Sequence, residues 1–288
     1  QVAQILAGLE PGERIPTVTE LSEQCDMARG NIQIELNNLK QNGIIQLESH
    51  GQNGTIATDI DYLAMAQYCS NTNLTCVMPM PYGLRYEGLA SGLYEELNQK
   101  SVTGAIAFMR GSGYRLACVE EGRFHLCVMS HLAFEYYEQQ GKDIQMVAAF
   151  GSRSYVEQHR IFVRPDFDGN WQGCKVGLDT SSVDQERLTR FCFADKPVQY
   201  VPIIYSQLVP FLHNGMIDAG VWSADMLPEG LSYYPMPCLD EQEKDTVAVL
   251  VCRKSDNVTA QLVRKVLSVQ NVTDIQRRVM NREIIPRY

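Results

Sequence analysis

Hydroxyl and guanidinium side chains recur directly after predicted strands in the C-terminal three quarters of the chain. They occur at Tyr82 with Arg85, Ser112 with Arg115, Ser130, Ser152 with Arg153, and Thr180 with Ser181. Each place precedes or opens a predicted helix, and the free N–H groups and dipole of a helix N-terminus favour anions. For any one serine, helix capping is the simpler interpretation, so the prediction depends on the repetition. The pattern predicts a site for a small anionic metabolite, such as a carboxylate or a phosphate.

Polar side chains that could contact DNA occur within the first 60 residues. They are Arg14, Arg29, Asn31, Gln33, Lys40 and His50. Asn and Gln can form two hydrogen bonds with the edge of an adenine, and cationic side chains contact phosphates. The charge balance opposes this interpretation, because residues 1–62 contain three positively and nine negatively charged side chains, a balance of −6.

Residues for catalysis or metal binding form no recognisable pattern. The chain lacks a Gly-x-Ser-x-Gly motif, a phosphate loop ending in Gly-Lys-Ser/Thr, and a His-x-x-x-His pair. Its nine cysteines include no Cys-x-x-Cys pair, and their scatter through apolar segments is typical of reduced, buried thiols. We therefore expect a cytoplasmic protein that is not an enzyme and that needs no metal or other cofactor.

Composition and length limit the class of protein. A hydrophobic fraction of 45% and a charged fraction of 20% are typical of a globular protein, and 288 residues are enough for about two domains. No apolar run approaches the ~18 residues that a membrane helix requires. The net charge of −9 argues against broad nonspecific affinity for nucleic acid.

Local signals in residues 1–60 predict a winged helix-turn-helix. Pro11-Gly12 forces a turn, and Glu20 lies three residues after Thr17, which makes a capping box at the start of the second helix. The predicted elements are helices over 1–6, after Thr17 and over 31–41, strands over 44–47 and 55–58, and a wing tip over 49–54. A linker helix is expected within residues 61–73.

From residue 74 onwards, predicted strands and helices alternate, which predicts an α/β domain with a mainly parallel sheet. One lobe would comprise about residues 74–158 and 240–288, and the other about residues 159–239. Two crossings between the lobes would leave a cleft, the usual place for a ligand. Trp222 ends one predicted strand, where stacking on a ligand and packing in the core both remain open.

The N-terminal segment resembles the GntR-type winged-helix DNA-binding domain between Gly8 and Thr58. The resemblance depends on the Pro-Gly-x-Arg-x-Pro run from Pro11, the Glu20-Leu21 pair, the Arg after the turn, the spaced leucines and the Gly-x-x-Gly-Thr wing. The chain departs from the family pattern at four places. Thr19, Ala28 and Gln52 stand where an Arg, a Ser and a basic residue are common, and Asn31-Ile32-Gln33 stands where a Thr-Val-Arg run commonly opens the recognition helix. The resemblance implies operator DNA as a partner, with fewer phosphate contacts than usual.

The remaining chain resembles type 2 periplasmic-binding-protein-like domains. The motifs are Arg110-Gly111-Ser112-x-x-Arg115, the run from Glu121 to Ser130, the run from Lys175 to Ser182, and the run from Asn214 to Trp222. The resemblance implies a ligand held between two lobes, outside the carboxyl ends of strands.

Three functions remain open at this point. The first is a transcription regulator that senses a small anionic metabolite, in which lobe closure changes the spacing of two winged helices in a homodimer. The second is a cytosolic solute-binding or protein-interaction module whose winged helix no longer binds DNA. The third is an enzyme that uses the cleft, which the missing catalytic pattern disfavours.

Overall fold

The computed structural model describes residues 1–98, 102–225, 227–237 and 241–288. The N-terminal part is a winged helix, and the predicted capping box is present, because Thr17 Oγ accepts a bond from Glu20 N at 3.2 Å and Glu20 Oε2 accepts one from Thr17 N at 2.6 Å. Its elements are α1 (Val2–Leu6), α2 (Val18–Cys25), α3 (Arg29–Gln41), β1 (Ile45–Ser49) and β2 (Thr55–Ile60), with β1 and β2 antiparallel. The third helix begins two residues earlier than expected, since Ala28 already has the extended backbone of an N-cap.

The connecting segment forms α4 (Tyr62–Tyr68), which is packed rather than free. Met65 and Ala66 are buried in a core that also contains Leu6 of the winged helix and Leu262 of the C-terminal domain. The hydroxyl of Tyr62 donates to the carbonyl of Leu9 at 2.6 Å. The winged helix and the first lobe therefore share one hydrophobic core.

Lobe 1 is built on a five-stranded sheet and is formed by two separate segments of the chain. Its first part comprises β3 (Asn73–Met78), α5 (Leu84–Leu97), β4 (Thr103–Phe108), α6 (Ser112–Glu120), β5 (Leu126–Ser130), α7 (His131–Gln139) and β6 (Ile144–Ala149). In lobe 2 lie β7 (His159–Val163), β8 (Lys175–Leu178), α8 (Val183–Cys192), β9 (Gln199–Pro202), α9 (Leu208–His213), β10 (Ala219–Ser223) and β11 (Ser232–Pro235). The chain then returns to lobe 1 as α10 (Glu241–Thr246), β12 (Ala248–Arg253), α11 (Asn257–Val266) and α12 (Val269–Met280). The predicted return point, residue 240, lies outside the described residues.

The two sheets are mixed, and four of the five strands in each share one direction, in agreement with the expectation of a mainly parallel sheet. The strand orders are β4-β3-β5-β12-β6 and β11-β7-β10-β8-β9. In lobe 1, β3 is parallel to β4 and β5, whereas β12 is antiparallel to β5 and β6. Strand β12 enters lobe 1 from the cleft and must run away from it, while β3, β4 and β5 run towards it. Strand β7 enters lobe 2 in the same way and is antiparallel to β10 and β11.

The packing of α5 against α12 in lobe 1 requires glycine at two positions. A Cβ atom at Gly88 would lie 2.8 Å from the carbonyl oxygen of Gln276, and one at Gly92 would lie 2.7 Å from that of Val272. Helix α5 therefore packs directly on the backbone of α12. No helix in the described part of the chain is long and apolar enough to cross a membrane.

Candidate ligand-binding cleft and DNA-contact face

A cleft separates the lobes at the carboxyl ends of β3, β4, β8 and β9. With the solvent at its mouth included, it encloses about 610 Å³. Its lining is mostly aromatic and polar. The lining residues are Pro79, Met80, Tyr82, Tyr86, Arg110, Gly111, Ser112, Arg115, Tyr155, Val156, His159, Asp179, Ser182, Asp184, Gln185, Ile204 and Tyr205.

Arg115 contributes a buried guanidinium to the cleft. Its Nε donates to the Val128 carbonyl at 3.0 Å, one terminal nitrogen donates to the Met109 carbonyl at 2.9 Å, and the other donates to Tyr155 Oη at 3.2 Å. No carboxylate forms an ion pair with Arg115 among the residues that the structure describes. Since a guanidinium has five N–H groups, two remain available to an anionic group in the cleft.

Two buried carboxylates and a histidine lie beside Arg115. Ser130 Oγ donates to Asp184 Oδ1 at 2.6 Å, and His159 is paired through Nδ1 with Asp245. Burial and the nearby charge of Asp245 raise the pKa of Asp184 to about 7. Burial alone would lower the pKa of His159, but the charge and hydrogen bond of Asp245, together with the charges of Asp184 and Asp225, more than offset it and raise that pKa. Within the described chain, no three such side chains are placed to hold a metal ion.

Helices α6 and α8 point their N-termini into the cleft from opposite lobes. Neither Gly111, the N-cap of α6, nor Ser182, the N-cap of α8, forms a side-chain capping bond. The lobes touch here, because a Cβ atom at Gly111 would lie 2.9 Å from the Ser181 carbonyl oxygen. Both helix starts therefore lack a side-chain cap, and a helix N-terminus favours an anion.

Arg85 joins the lobes instead of lining this cleft. Its Nε donates to Asp225 Oδ1 at 2.5 Å, a terminal nitrogen donates to Glu157 Oε2 at 2.5 Å, and the other terminal nitrogen donates to the carbonyl of Arg153. Arg85 lies in helix α5 of lobe 1, whereas Asp225 follows strand β10 of lobe 2. Its charge is already neutralised by two carboxylates, so it contributes to lobe closure.

The other predicted contacts are divided between the cleft and its surroundings. Tyr82, Ser112 and Arg115 line the cleft. Trp222 stacks on Tyr205 with ring centroids 3.8 Å apart and lines a side cavity that also reaches Tyr82. Tyr205 thus separates Trp222 from the main cleft.

Besides Arg85 and Trp222, five predicted contacts lie outside the cleft lining. Ser130 is buried behind the wall, where its Oγ caps α7 by accepting from Ala133 N at 2.9 Å. Ser152 and Arg153 line a separate cavity at the crossing between the lobes. Thr180 is exposed, and the Ser181 hydroxyl donates to Asp179 at 2.6 Å.

Sequence reasoning missed the acidic and aromatic part of the cleft. Asp184 and Gln185 occupy buried positions in the first turn of α8, and His159 opens β7. Polar residues at core positions of an amphipathic helix were the available signal for the first two. Tyr86 and Tyr155 come from segments whose cleft-facing position depends on the lobe arrangement.

The candidate DNA-contact face is a groove between α3 and the wing. Arg14, Gln33 and Lys40 line it, together with Asn37, which the predicted contact set left out. None of the groove's lining side chains is acidic. Glu35, the one carboxylate on α3, accepts a hydrogen bond from Tyr68 Oη at 3.1 Å at the side of the helix. Glu20 borders the groove, because its Oε2 accepts a bond from the backbone N–H of the lining residue Thr17 at 2.6 Å.

The remaining predicted DNA contacts border this groove. Arg29 and Asn31 are exposed in the first turn of α3, the part of a recognition helix that usually contacts bases. His50 is exposed on the wing, with Nε2 3.7 Å from the Glu48 carboxylate. Ile34 is exposed on the outer face of α3, where it could contact a thymine methyl group.

Comparisons with known proteins agree with this architecture. The family described as YhfZ C-terminal domain matches residues 61–288, and a helix-turn-helix domain family matches residues 10–57. The protein named "Uncharacterized protein YhfZ" from Escherichia coli (strain K12) is 31% identical, with 100% of this chain and 95% of that protein covered.

Solved structures show the same fold. The crystal structure of YhfZ from Shigella flexneri superposes with a TM-score of 0.68 at 31% identity, covering 79% of this chain and 98% of that one. The periplasmic aliphatic sulphonate binding protein SsuA from Escherichia coli superposes with a TM-score of 0.56 at 12% identity, covering 73% of this chain and 75% of that one. The latter likeness concerns the fold alone, and it confirms the predicted periplasmic-binding-protein-like architecture. The chain belongs to the YhfZ family, in which a helix-turn-helix domain precedes a YhfZ C-terminal domain.

Proposed function

We propose that this protein is a cytoplasmic transcription regulator that binds operator DNA through its winged helix and a small metabolite in the cleft between its lobes. The observation that carries the proposal is the shared hydrophobic core of the winged helix and lobe 1. Because the cleft separates lobe 1 from lobe 2, a ligand that closes the cleft moves lobe 2 relative to the DNA-binding module.

One direct contact joins the winged helix to lobe 1, and two more join the linker segment to the winged helix and to lobe 1. A Cβ atom at Gly8 would lie 2.4 Å from Asn257 Nδ2, and the Tyr62 hydroxyl donates to the Leu9 carbonyl. Asn71 donates to Thr259 Oγ1 at 3.1 Å. These contacts make the winged helix and lobe 1 one body. If two chains form a homodimer through lobe 2, closing the cleft in each chain would change the distance between the two winged helices. The two DNA half-sites that such a dimer contacts lie about 34 Å apart.

The face of the winged helix suits DNA better than the charge count alone indicates. Its groove presents Arg14, Gln33 and Lys40 without an acidic neighbour in the lining. This distribution supports a GntR-type mode of binding, in which α3 enters the major groove. The low number of cations predicts a modest salt dependence, because few counterions are released.

The metabolite carries an anionic group in this proposal. Arg115 keeps two N–H groups without a described acceptor, and α6 and α8 direct uncapped N-termini at the same space. Binding without turnover is the proposed role of the cleft. Ser112→Ala combined with Arg115→Ala should abolish ligand-induced thermal stabilisation, and survival of the stabilisation would move the site elsewhere.

A gel shift of the full chain on promoter DNA from its own gene neighbourhood tests the DNA-binding role. We expect a specific shift that survives physiological salt and that weakens when Arg29→Ala or Gln33→Ala is introduced. Arg190→Ala, an exposed change in lobe 2, is the matched control and should leave the shift unchanged. Equal affinity in all variants would remove these two residues from the DNA contact.

A second candidate is a solute-binding or protein-interaction module that no longer binds DNA. The balance of −6 within residues 1–62 favours it. No shift at low or physiological salt, with the protein folded by circular dichroism, would select this candidate over the regulator.

A further inference from the structure

The cleft contains more buried negative charge than its hydrogen bonds account for. Asp179 is satisfied, because its two oxygens accept from Ser181 N at 2.9 Å, Ser181 Oγ at 2.6 Å and Tyr205 N at 2.8 Å. Asp184 differs, because only its Oδ1 accepts a bond, from Ser130. No donor among the described residues reaches Asp184 Oδ2, although the side chain is buried and lines the cleft.

Arg115 does not supply the missing partner. It lines the same cleft, but three of its five N–H groups are bonded to the carbonyls of Val128 and Met109 and to Tyr155, and none is bonded to Asp184. Asp245 adds a further buried carboxylate next to His159, and its Oδ1 has no hydrogen-bond partner among the described residues. Asp184 lines the cleft with one carboxylate oxygen that accepts no bond from the described residues, so this oxygen favours a cationic donor supplied by a ligand.

We propose that the cleft binds a small molecule that carries a protonated amine in addition to its anionic group, with Asp184 Oδ2 accepting from the ammonium. The inference rests on the proposed ligand-binding role of the cleft. Tyr86 and Tyr205 also line it, and aromatic rings are favourable surroundings for a cation. The anionic group is held at Arg115 and the start of α6, so the molecule spans two sites of opposite charge.

The proposal predicts that affinity changes with pH in opposite directions for amine-bearing ligands and for purely anionic ligands. Charged and titratable groups face Asp184 from several elements, namely Arg115 of α6, Tyr137 of α7, Tyr155 of the crossing, His159 of β7 and Asp245 of α10. Because the pKa of Asp184 is raised to about 7, the group gains its charge around neutral pH. His159, whose pKa is also raised, loses its charge as pH rises further. Affinity for an amine-bearing ligand therefore rises with pH, whereas affinity for a purely anionic ligand falls.

Thermal stabilisation and calorimetry of the full chain with matched compounds test the proposal. The pairs are glycine with acetate, β-alanine with propionate, phenylalanine with phenylpropionate, and taurine with ethanesulfonate. We expect at least one amine-bearing member to bind, and its partner without the amine to bind at least about tenfold more weakly. The affinity of that amine should increase between about pH 6 and pH 8.

Asp184→Asn should remove the preference for the amine, and Asp195→Asn, an exposed aspartate of lobe 2, is the matched control. If Asp184→Asn does not fold, the pH dependence of the unaltered chain still decides. Equal or tighter binding of the compounds without an amine, an affinity that falls with rising pH, or no binding by any member would overturn the proposal.

The proposed regulatory function and the proposed ligand class are contradicted by different results. Amine binding without any effect on DNA affinity would leave the ligand class intact and contradict the regulator. Specific DNA binding by a chain that binds only anions would keep the regulator and contradict the ligand class.

Discussion

The winged helix and lobe 1 meet through apolar side chains, whereas lobe 1 and lobe 2 meet through polar and charged ones. At the first junction Leu6, Met65 and Leu262 are buried in one cluster. At the second, Arg85 pairs with Asp225 and Ser130 donates to Asp184. When apolar surfaces separate, the free energy gained by burying them is lost. When polar surfaces separate, hydration of the polar groups offsets much of the loss. The difference makes the first junction a fixed joint and the second a reversible one.

Met65→Ala should weaken the apolar junction between the winged helix and lobe 1, and we expect it to cause the largest loss of stability among the variants considered. Truncating a buried methionine removes its burial energy and leaves a cavity, so we expect a loss of about 2–5 kcal/mol in the free energy of unfolding. Urea denaturation measures this. Ile285→Ala, which alters a side chain that is 83% exposed, is the control and should change stability by less than about 0.5 kcal/mol. A similar small effect at Met65 would contradict a shared core.

The reversible joint should respond to pH through Asp184. Its pKa is raised from 3.8 to about 7 in the folded protein, so the folded state binds the proton more tightly than the unfolded chain. Stability therefore falls as pH rises from about 4 to about 7, by about 3 kcal/mol from this group. The raised pKa of His159 continues the fall above its ordinary value of 6.5. Thermal unfolding across this range measures the slope, which Asp184→Asn should flatten; an unchanged slope would assign it to other groups.

Arg85→Gln should loosen the contact between the lobes. Asp225 and Glu157 would lose their cationic partner, and because both are partly exposed we expect a loss of about 1–2 kcal/mol. Small-angle scattering should show a larger radius of gyration in the absence of ligand. Arg190→Gln breaks an exposed pair with Glu186 and should cost no more than about 0.5 kcal/mol, without a change in size. Equal scattering by both variants would exclude Arg85 as a closing contact.

Gly111→Ala and Gly141→Ala form a matched pair with a smaller effect. Both glycines have a left-handed backbone, with φ of 75° and 73°. Only at Gly111 does an added Cβ meet the other lobe, whereas Gly141 has open space around it. Each change should cost about 1 kcal/mol of backbone strain, and Gly111→Ala alone should also weaken ligand binding by holding the lobes apart. Equal ligand affinity in the two variants would show that the lobes tolerate the added atom.

Local sequence signals predicted most of the secondary structure and the position of the cleft. The capping box at Thr17 and Glu20 and the alternation after residue 74 depend on neighbours within a few residues, so they can be seen without a tertiary structure. The antiparallel return of β12 could not be seen, because its direction depends on where the chain leaves lobe 2. The edge strand β11, whose residues are all exposed, has no apolar alternation to mark it.

Two arginines show the same limit within the site. Arg85 and Arg115 both lie near the start of a helix after a strand, so the sequence predicts the same anion-binding role for both. The tertiary structure separates them, because two carboxylates from distant segments reach Arg85, whereas none in the described part of the chain reaches Arg115. The contribution of each arginine to ligand binding is still a prediction.

The sequence by itself determined the winged helix, the two-lobed α/β architecture and the segments that border the cleft, because periodicity, caps and turns are local properties. Only the tertiary structure decided that the winged helix shares a core with lobe 1 and that Asp184, His159 and Asp245 meet beside Arg115. These groups lie far apart along the chain, and their charges, burial and hydrogen bonds depend on contacts between segments that no local pattern contains.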